Sequence, residues 1–299
     1  MFARTALKAA VAGGGCVLAV SVFMAEPTRS DIAVASKKRV VIIGGGAAGI
    51  SVSAQLANSN KNVEVVVIEP SSMHFYQPMW TLVGAGLKTK EQSVRPMSDM
   101  ISRKVTWVQQ AATQVTPAKN EVVLADGKAL LYDYLVVAPG LVVDWDAIPG
   151  VKESVGKEGT GVVSIYDYHH SEATYKAIAA FQGGKAVFTM PRMPIKCAGA
   201  PQKIMWLFDE RMRDAGLRDS TSITMVTSTP SIFGVPKYAA MLMKEKEARG
   251  IALTVTTDLV KVDASTKVCA QTHVRARAAC KEHSLTQHSL DRLPPSRTA

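Results

Sequence analysis

Cysteine is scarce in this chain: four in 299 residues, Cys16, Cys197, Cys269 and Cys280. They are too few and too unevenly spaced for a secreted disulfide framework. No Cys-x-x-Cys pair and no metal-ligand spacing of Cys and His occurs, so no metal is expected. A formal charge of +10 comes without any basic run interleaved with aromatics, which argues against nucleic acid as a partner. An anionic cofactor or substrate, or an anionic membrane surface, is the better use of that charge. With 47% hydrophobic and 20% charged residues the chain is not of the disordered class, and its length accommodates two domains.

Acid is also missing from the first 25 residues. "MFARTALKAAVAGGGCVLAVSVFMAEPTRS" carries Arg4 and Lys8, then an apolar run from Ala9 to Ala25. An acid-poor, Arg-bearing leader fits a mitochondrial presequence, and the apolar centre also fits a secretory signal or short anchor, though Gly13 to Gly15 weaken a spanning helix. On either reading residues 1–36 are a targeting segment outside the fold.

Folded character begins at "KKRVVIIGGGAAGISVSAQLANSNKNVEVVVIEPS". Val40 to Ile43, and Val63 to Ile68 apart from Glu64, are apolar runs of the kind that lie buried in parallel sheets, with a small-residue helix from Ala47 to Ala57 between them. Strands are expected in "VTWVQQAATQV", "NEVVLADG" and "LLYDYLVVAPG", with a hairpin at Asp126-Gly127. Pro149-Gly150 then punctuates the chain. A second series follows: strand "KAVFTM", helix "PQKIMWLFDERMRDAG", strand "SITMVTS", helix "PKYAAMLMKEKEARG" and strand "ALTVTTDLVKVD". The fold class is therefore α/β, with a Rossmann-like domain over 37–150 and a second Rossmann-like, doubly wound domain over 151–267.

Gly44-Gly45-Gly46-Ala47-Ala48-Gly49 satisfies G-x-G-x-x-G. The pattern alone is weak, but a strand precedes it, a helix follows it, and Glu69 ends the next strand twenty residues on. Gly44 allows the tight turn, Gly46 lets the backbone approach a pyrophosphate, and Gly49 lets helix and strand pack closely. The helix start offers free N–H groups at Ala47 and Ala48 to a phosphate, and Glu69 would accept from ribose hydroxyls. "YDYLVVAPG" resembles the strand that closes the FAD domain in two-dinucleotide flavoproteins, which implies FAD for this first unit.

The second unit lacks its own glycine fingerprint. Where the glycines belong, between strand and helix, stands "MPRMPIKCAGAPQK". Cys197 follows Lys196 and precedes Pro201, a residue suited to the first turn of a helix. A neighbouring ammonium and a helix N-terminus both favour a thiolate, the nucleophilic form. An inert packed cysteine is the bland alternative.

Two stretches, "EPSSMHFYQPMWTLVGAG" from Glu69 and "PIKCAGAPQKIM" from Pro194, closely resemble the mitochondrial-type sulfide:quinone oxidoreductases, and the likeness spans roughly residues 38–267. The resemblance implies FAD, sulfide as electron donor, a membrane quinone (ubiquinone) as acceptor, and a persulfide passed to a small acceptor such as glutathione or sulfite. It implies Cys197 as the reactive thiol, with Lys196 beside it, and a place at the mitochondrial inner membrane. Gln77 matches a flavin-contacting position, and Ala112 a backbone contact to the adenine end. The family's sulfur bridge also needs a second cysteine, later in the chain than residue 267.

From Val268 the sequence leaves the family pattern. Residues 268–299 contain no aromatic and no glycine and read as a tail without fixed structure, in which Cys269 and Cys280 are not in family context. The expected partner cysteine, the Gly-Asp flavin segment and the apolar membrane-docking helices are therefore missing from the readable pattern, and the fold is expected to be incomplete at its C-terminal side. Two rivals stand beside the sulfide reading: a type II NADH dehydrogenase-like quinone reductase, which would need the absent second glycine loop, and a non-catalytic flavin-binding fragment. His74 reads as either a shaper of the flavin site or loop packing. His169-His170 with Asp167 read as surface residues opening a helix, and Trp80 as core or interface packing.

Overall fold

The structure is a computed structural model and describes residues 37–59 and 62–273. Its first unit is built on β1 (Lys38–Ile43), helix α1 (Ala47–Ser59) and β2 (Val63–Ile68). Then come β3 (Met73–Phe75), α2 (Trp80–Gly84), β4 (Val94–Pro96), α3 (Met97–Met100) and β5 (Thr106–Val108). A meander of β6 (Ala112–Thr116), β7 (Glu121–Leu124) and β8 (Ala129–Leu131) leads into β9 (Tyr134–Val137). The central sheet is parallel, in the order β5-β2-β1-β9. That is the strand order of a dinucleotide-binding half, with the crevice outside the carboxyl ends of β1 and β2.

The buried ends of the central strands, Val40–Ile43 and Val65–Ile68, are apolar on both parities because both faces are covered. Val40, Ile42, Val65 and Val67 pack against Met97, Ile101 and the Ile50–Leu56 side of α1. Val41, Ile43, Val66 and Ile68 pack under Val115, Val122 and Leu124 of the meander. Both faces are covered from Val40 and Val65 onward, so neither parity there takes a polar residue, and the charged Arg39–Glu64 pair is confined to the half-exposed start of the two strands.

The second unit holds α4 (Val151–Ser154), α5 (Tyr168–Ala180), β10 (Gly184–Met190), α6 (Ala200–Asp214), β11 (Thr221–Thr227), α7 (Pro236–Ala248) and β12 (Ala252–Thr254). Its sheet is parallel in the order β10-β11-β12. Ile204, Met205, Phe208 and Met212 give α6 a continuous apolar stripe against this sheet. Phe208 meets Phe181 and Phe188 at 5.3 Å between ring centres. The two units form one compact body, joined where α2 packs on α5 and α6. A Cβ on Gly84 would lie 2.6 Å from Ile165 Cγ2, and one on Gly86 2.3 Å from Tyr175, so glycine is what lets this seam close.

Several expected strands are broken in the structure. "VTWVQQAATQV" divides into β5 and β6, because Gln110 N–H turns back to Val108 O at 2.9 Å. "LLYDYLVVAPG" divides at Asp133, whose carboxylate accepts from Arg39 N–H at 2.8 Å and Lys38 Nζ at 2.7 Å. "ALTVTTDLVKVD" divides at Thr256, which has a positive φ of 50°. Its second part is β13 (Thr257–Asp263), which pairs antiparallel with β14 (Val268–His273).

That hairpin corrects the reading of a structureless tail from Val268: the first six of those residues form a strand. The turn explains it. Asp263 accepts from Ser265 N–H at 3.0 Å and Thr266 N–H at 3.1 Å, and Lys267 takes the left-handed conformation that closes the loop. Cys269 lies on β14 opposite Val262 as a free thiol. The remainder of the tail with Cys280, and the leader with Cys16, lie outside the described residues. The Asp126-Gly127 hairpin forms as expected, between β7 and β8 with Gly127 at φ 84°.

One buried charge organises the second unit's far edge. Asp209 of α6 is fully buried and accepts from Arg213 Nε at 2.9 Å, Arg218 Nε at 2.6 Å and Arg249 at 2.9 Å. Burial opposes its ionisation, but the three guanidiniums prevail and hold the carboxyl below its usual value. Removing one member of such a cluster leaves charges without a partner, at a cost of about 3 kcal/mol. Asp209→Asn is expected to lower stability by that order in urea unfolding. Because the folded pKa is depressed, the contribution is complete above about pH 4 and lost as pH falls through the lower folded value. The gap between parent and variant should therefore narrow in acid.

Candidate active site

The glycine turn leaves β1 and enters α1 with three different steric demands. A Cβ on Gly44 would sit 2.2 Å from Ala138 O, and one on Gly49 1.8 Å from Gly44 O. At Gly46 it would meet nothing within 4 Å. The first two glycines are thus required by the protein itself, whereas Gly46 faces open space. Gly46, Ala47 and Ala48 are exposed, and the first intrahelical bond of α1 is Ile50 N–H to Gly46 O. Amides at the head of a 13-residue helix, on an open face, fit a pyrophosphate.

Glu69 has a second task that sequence reasoning missed. One carboxylate oxygen accepts from Gly45 N–H at 2.7 Å and the other from Ser71 N–H at 2.8 Å. The acid therefore locks the glycine turn to the end of β2, and its remaining lone pairs are free for ligand hydroxyls. His74 is buried below the same turn, Nδ1 lying 3.2 Å from Gly45 O. Of its two readings, the packed and hydrogen-bonded one describes the contact made, and the atom contacted belongs to the dinucleotide turn. Gln77 is exposed and opens the 3-10 turn Gln77–Met79 just before α2. Ala112 is half-buried and starts β6 opposite Leu124.

In the second unit, β10 ends at Met190, and an exposed loop through Cys197 leads into α6, with Gly199 as cap and Pro201 in the first turn. Only one glycine lies in that loop, so no phosphate cradle like the first forms there. Arg192 pairs with Asp258 of β13 at one end of the loop. At the other end Tyr166 donates its hydroxyl to Cys197 O at 2.9 Å, and Lys196 Nζ donates to Tyr166 O at 2.8 Å.

Lys196 is half-buried, its ammonium 5.1 Å from the centre of the Trp80 indole and 5.9 Å from the Tyr166 ring. Burial pulls its pKa down, and the charge of Asp167 pulls the other way. Asp167 itself caps α5, accepting from His169 N–H at 2.6 Å and His170 N–H at 3.2 Å. The Tyr166 phenol is raised, by burial first and by the charge of a Cys197 thiolate second, so it remains a donor throughout the physiological range. Trp80 and Tyr166 border Lys196, and the Phe75 ring lies 6.5 Å from that of Trp80; sequence reasoning left Trp80 as packing and passed over Tyr166. Phe75 packs against Tyr168 with the rings tilted, 4.9 Å between centres. Among the described residues no group of three His, Cys, Asp or Glu could hold a metal, and no helix is long and apolar enough to cross a membrane.

A family model described as pyridine nucleotide-disulphide oxidoreductase matches residues 38–179. The mitochondrial sulfide:quinone oxidoreductase of Dictyostelium discoideum is 41% identical over 231 residues, 77% of this chain and 51% of that protein. Its Mus musculus counterpart is 38% identical over 223 residues, 75% of this chain and 49% of that protein. Over about three quarters of its length the chain is thus homologous to the sulfide:quinone oxidoreductase family. It spans about half the length of the curated relatives it matches. The crystal structure of the sulfide:quinone oxidoreductase from Aquifex aeolicus shares the fold, with a TM-score of 0.64 at 20% identity over 79% of this chain and 56% of that one. The family is FAD-binding, and the relatives' names support a mitochondrial place. The two stretches that carry the sequence likeness, residues 69–86 and 194–205, are joined by the Lys196–Trp80 contact.

The steric difference between the glycines gives a clean test of the candidate cofactor site. Gly46→Ala should leave the melting temperature within about 1 °C of the parent, a change under ~0.5 kcal/mol, while weakening FAD retention at least tenfold. Gly49→Ala should abolish soluble folded protein. Equal FAD affinity in Gly46→Ala and parent, measured by flavin fluorescence titration, would place the pyrophosphate elsewhere.

Proposed function

We propose that the chain carries the FAD-binding and thiol-bearing part of a mitochondrial sulfide:quinone oxidoreductase, which oxidises hydrogen sulfide to a cysteine persulfide and delivers the electrons to ubiquinone at the inner membrane. The observation that carries the reading is the replacement of the second nucleotide cradle by an exposed cysteine whose loop is held against the first unit. NADH would need glycines where this loop has Pro191, Arg192, Met193 and Pro194.

FAD would rest on the amides of Ala47 and Ala48 and on Gly46, with Glu69 toward the ribose, Ala112 toward the adenine end and Gln77 toward the flavin. When bound, the flavin supplies a two-electron acceptor, which matches the two electrons released when sulfide sulfur joins a thiol sulfur. Cys197 is the group to which that sulfur attaches. Lys196 helps to hold the loop in place and keeps a positive charge beside it. The small terminal acceptor is a thiol or oxyanion such as glutathione or sulfite, which the basic surface favours. A family sulfur bridge needs a second thiol, and within residues 38–267 Cys197 stands alone.

The test is anaerobic addition of sulfide to the FAD-loaded protein, with thiol trapping and mass spectrometry of the Cys197 peptide. A mass gain of one sulfur on Cys197 and loss of flavin bleaching in Cys197→Ala, by at least a hundredfold, are expected. Undiminished bleaching in that variant would remove Cys197 from the chemistry. Bleaching by NADH instead of sulfide would favour the type II dehydrogenase, and bleaching by neither would favour a flavin-binding module without turnover.

A further inference from the structure

We propose that Tyr166 is a positioning residue for the thiol, holding residues 196 and 197 through a reciprocal pair of hydrogen bonds. The inference rests on the reading of Cys197 as the reacting group and adds what fixes it in place. Tyr166 uses both of its ends. Its phenol donates to Cys197 O at 2.9 Å, and its backbone carbonyl receives the Lys196 ammonium at 2.8 Å. Two adjacent residues of an exposed loop are thereby tied to one residue from opposite directions.

That anchor is itself fixed. Tyr166 N–H bonds Ser164 Oγ at 3.2 Å, and Ser164 O is held by Thr174 Oγ1 of α5 at 3.1 Å. The next residue, Asp167, caps α5, and the Tyr166 ring packs on the core of the second unit. α5 is tied to the first unit by Lys90–Glu172 at 3.0 Å and by Tyr168 on Phe75. A chain of contacts thus runs from the aromatic stretch before α2, through α5, to the carbonyl of Cys197. The phenol bonds the carbonyl rather than the sulfur, so it sets the direction of the side chain and leaves proton transfer to other groups. Ala200 N–H reaches the same carbonyl at 3.1 Å, so Cys197 O joins the α5 entrance to the head of α6.

Tyr166→Phe removes the hydroxyl and keeps the ring. Hydrogen–deuterium exchange of the peptide spanning 191–200 should quicken about fivefold, the worth of one ordinary hydrogen bond, with α1 and β1 unchanged. Alkylation of Cys197 by iodoacetamide, followed against pH, should keep its midpoint while its plateau rate changes. Lys196→Met should quicken the same peptide, whereas Lys196→Arg, which keeps a donor, should restore most of the protection. Since both bonds act on one anchor, the double variant Tyr166→Phe/Lys196→Met should exchange little faster than the faster single variant.

Unchanged exchange in a folded Tyr166→Phe, a shifted alkylation midpoint, or effects that multiply to about twenty-five-fold would each overturn the proposal. None of these readouts involves sulfide or flavin. A failure of the sulfide assignment, seen as an unmodified Cys197 after sulfide treatment, is therefore distinguishable from a failure of the anchor.

Discussion

The ammonium of Lys196 lies against the Trp80 indole and the Tyr166 ring and donates to the Tyr166 carbonyl. Much of the site's geometry follows from that placement. A half-buried cation is costly unless something replaces its water. Here two aromatic faces, one carbonyl and the nearby charge of Asp167 do so, each ring contact contributing on the order of 1 kcal/mol. Because Trp80 belongs to the first unit and Lys196 to the second, the solvation of one charge depends on how the two units meet. Arginine would keep the charge but not the compact single donor, so it would be only a partial substitute.

The glycine turn shows the same economy from the other side. Gly44 and Gly49 are fixed by contacts internal to the chain, and Glu69 and His74 hold Gly45 from its N–H and its carbonyl. Only the Gly46–Ala48 face is left open. Preorganisation of that kind lowers the ordering cost of binding a charged dinucleotide. The scaffold under the turn, an apolar sheet covered on both sides, makes the preorganisation durable.

Much of this was legible in the residues. Unbroken valine and isoleucine runs read as buried parallel strands because both faces are covered, and G-x-G-x-x-G read as a phosphate turn because strand, helix and acid flanked it. Pro201 marked the start of α6. What the sequence hid was set by long-range contact. The second task of Glu69, as a lock on Gly45, depends on β2 lying beside β1. Tyr166 sits in "SIYDYHH", with nothing local to mark it, and its importance comes from a loop thirty residues later. Thr256 gave no breaker signal either, yet its left-handed backbone divides one apolar run into β12 and β13. The tail from Val268 looked featureless by composition, but an Asp263-centred turn folds its first six residues back as β14.

The proposed function requires Cys197 to face a flavin bound at the preceding glycine turn. It is tested most directly by the absorbance spectrum of the FAD-loaded protein as pH is raised. A thiolate against an isoalloxazine donates charge into it. The account predicts a long-wavelength band that grows with pH and is absent in Cys197→Ser. Spectra identical in the two proteins at every pH would contradict it.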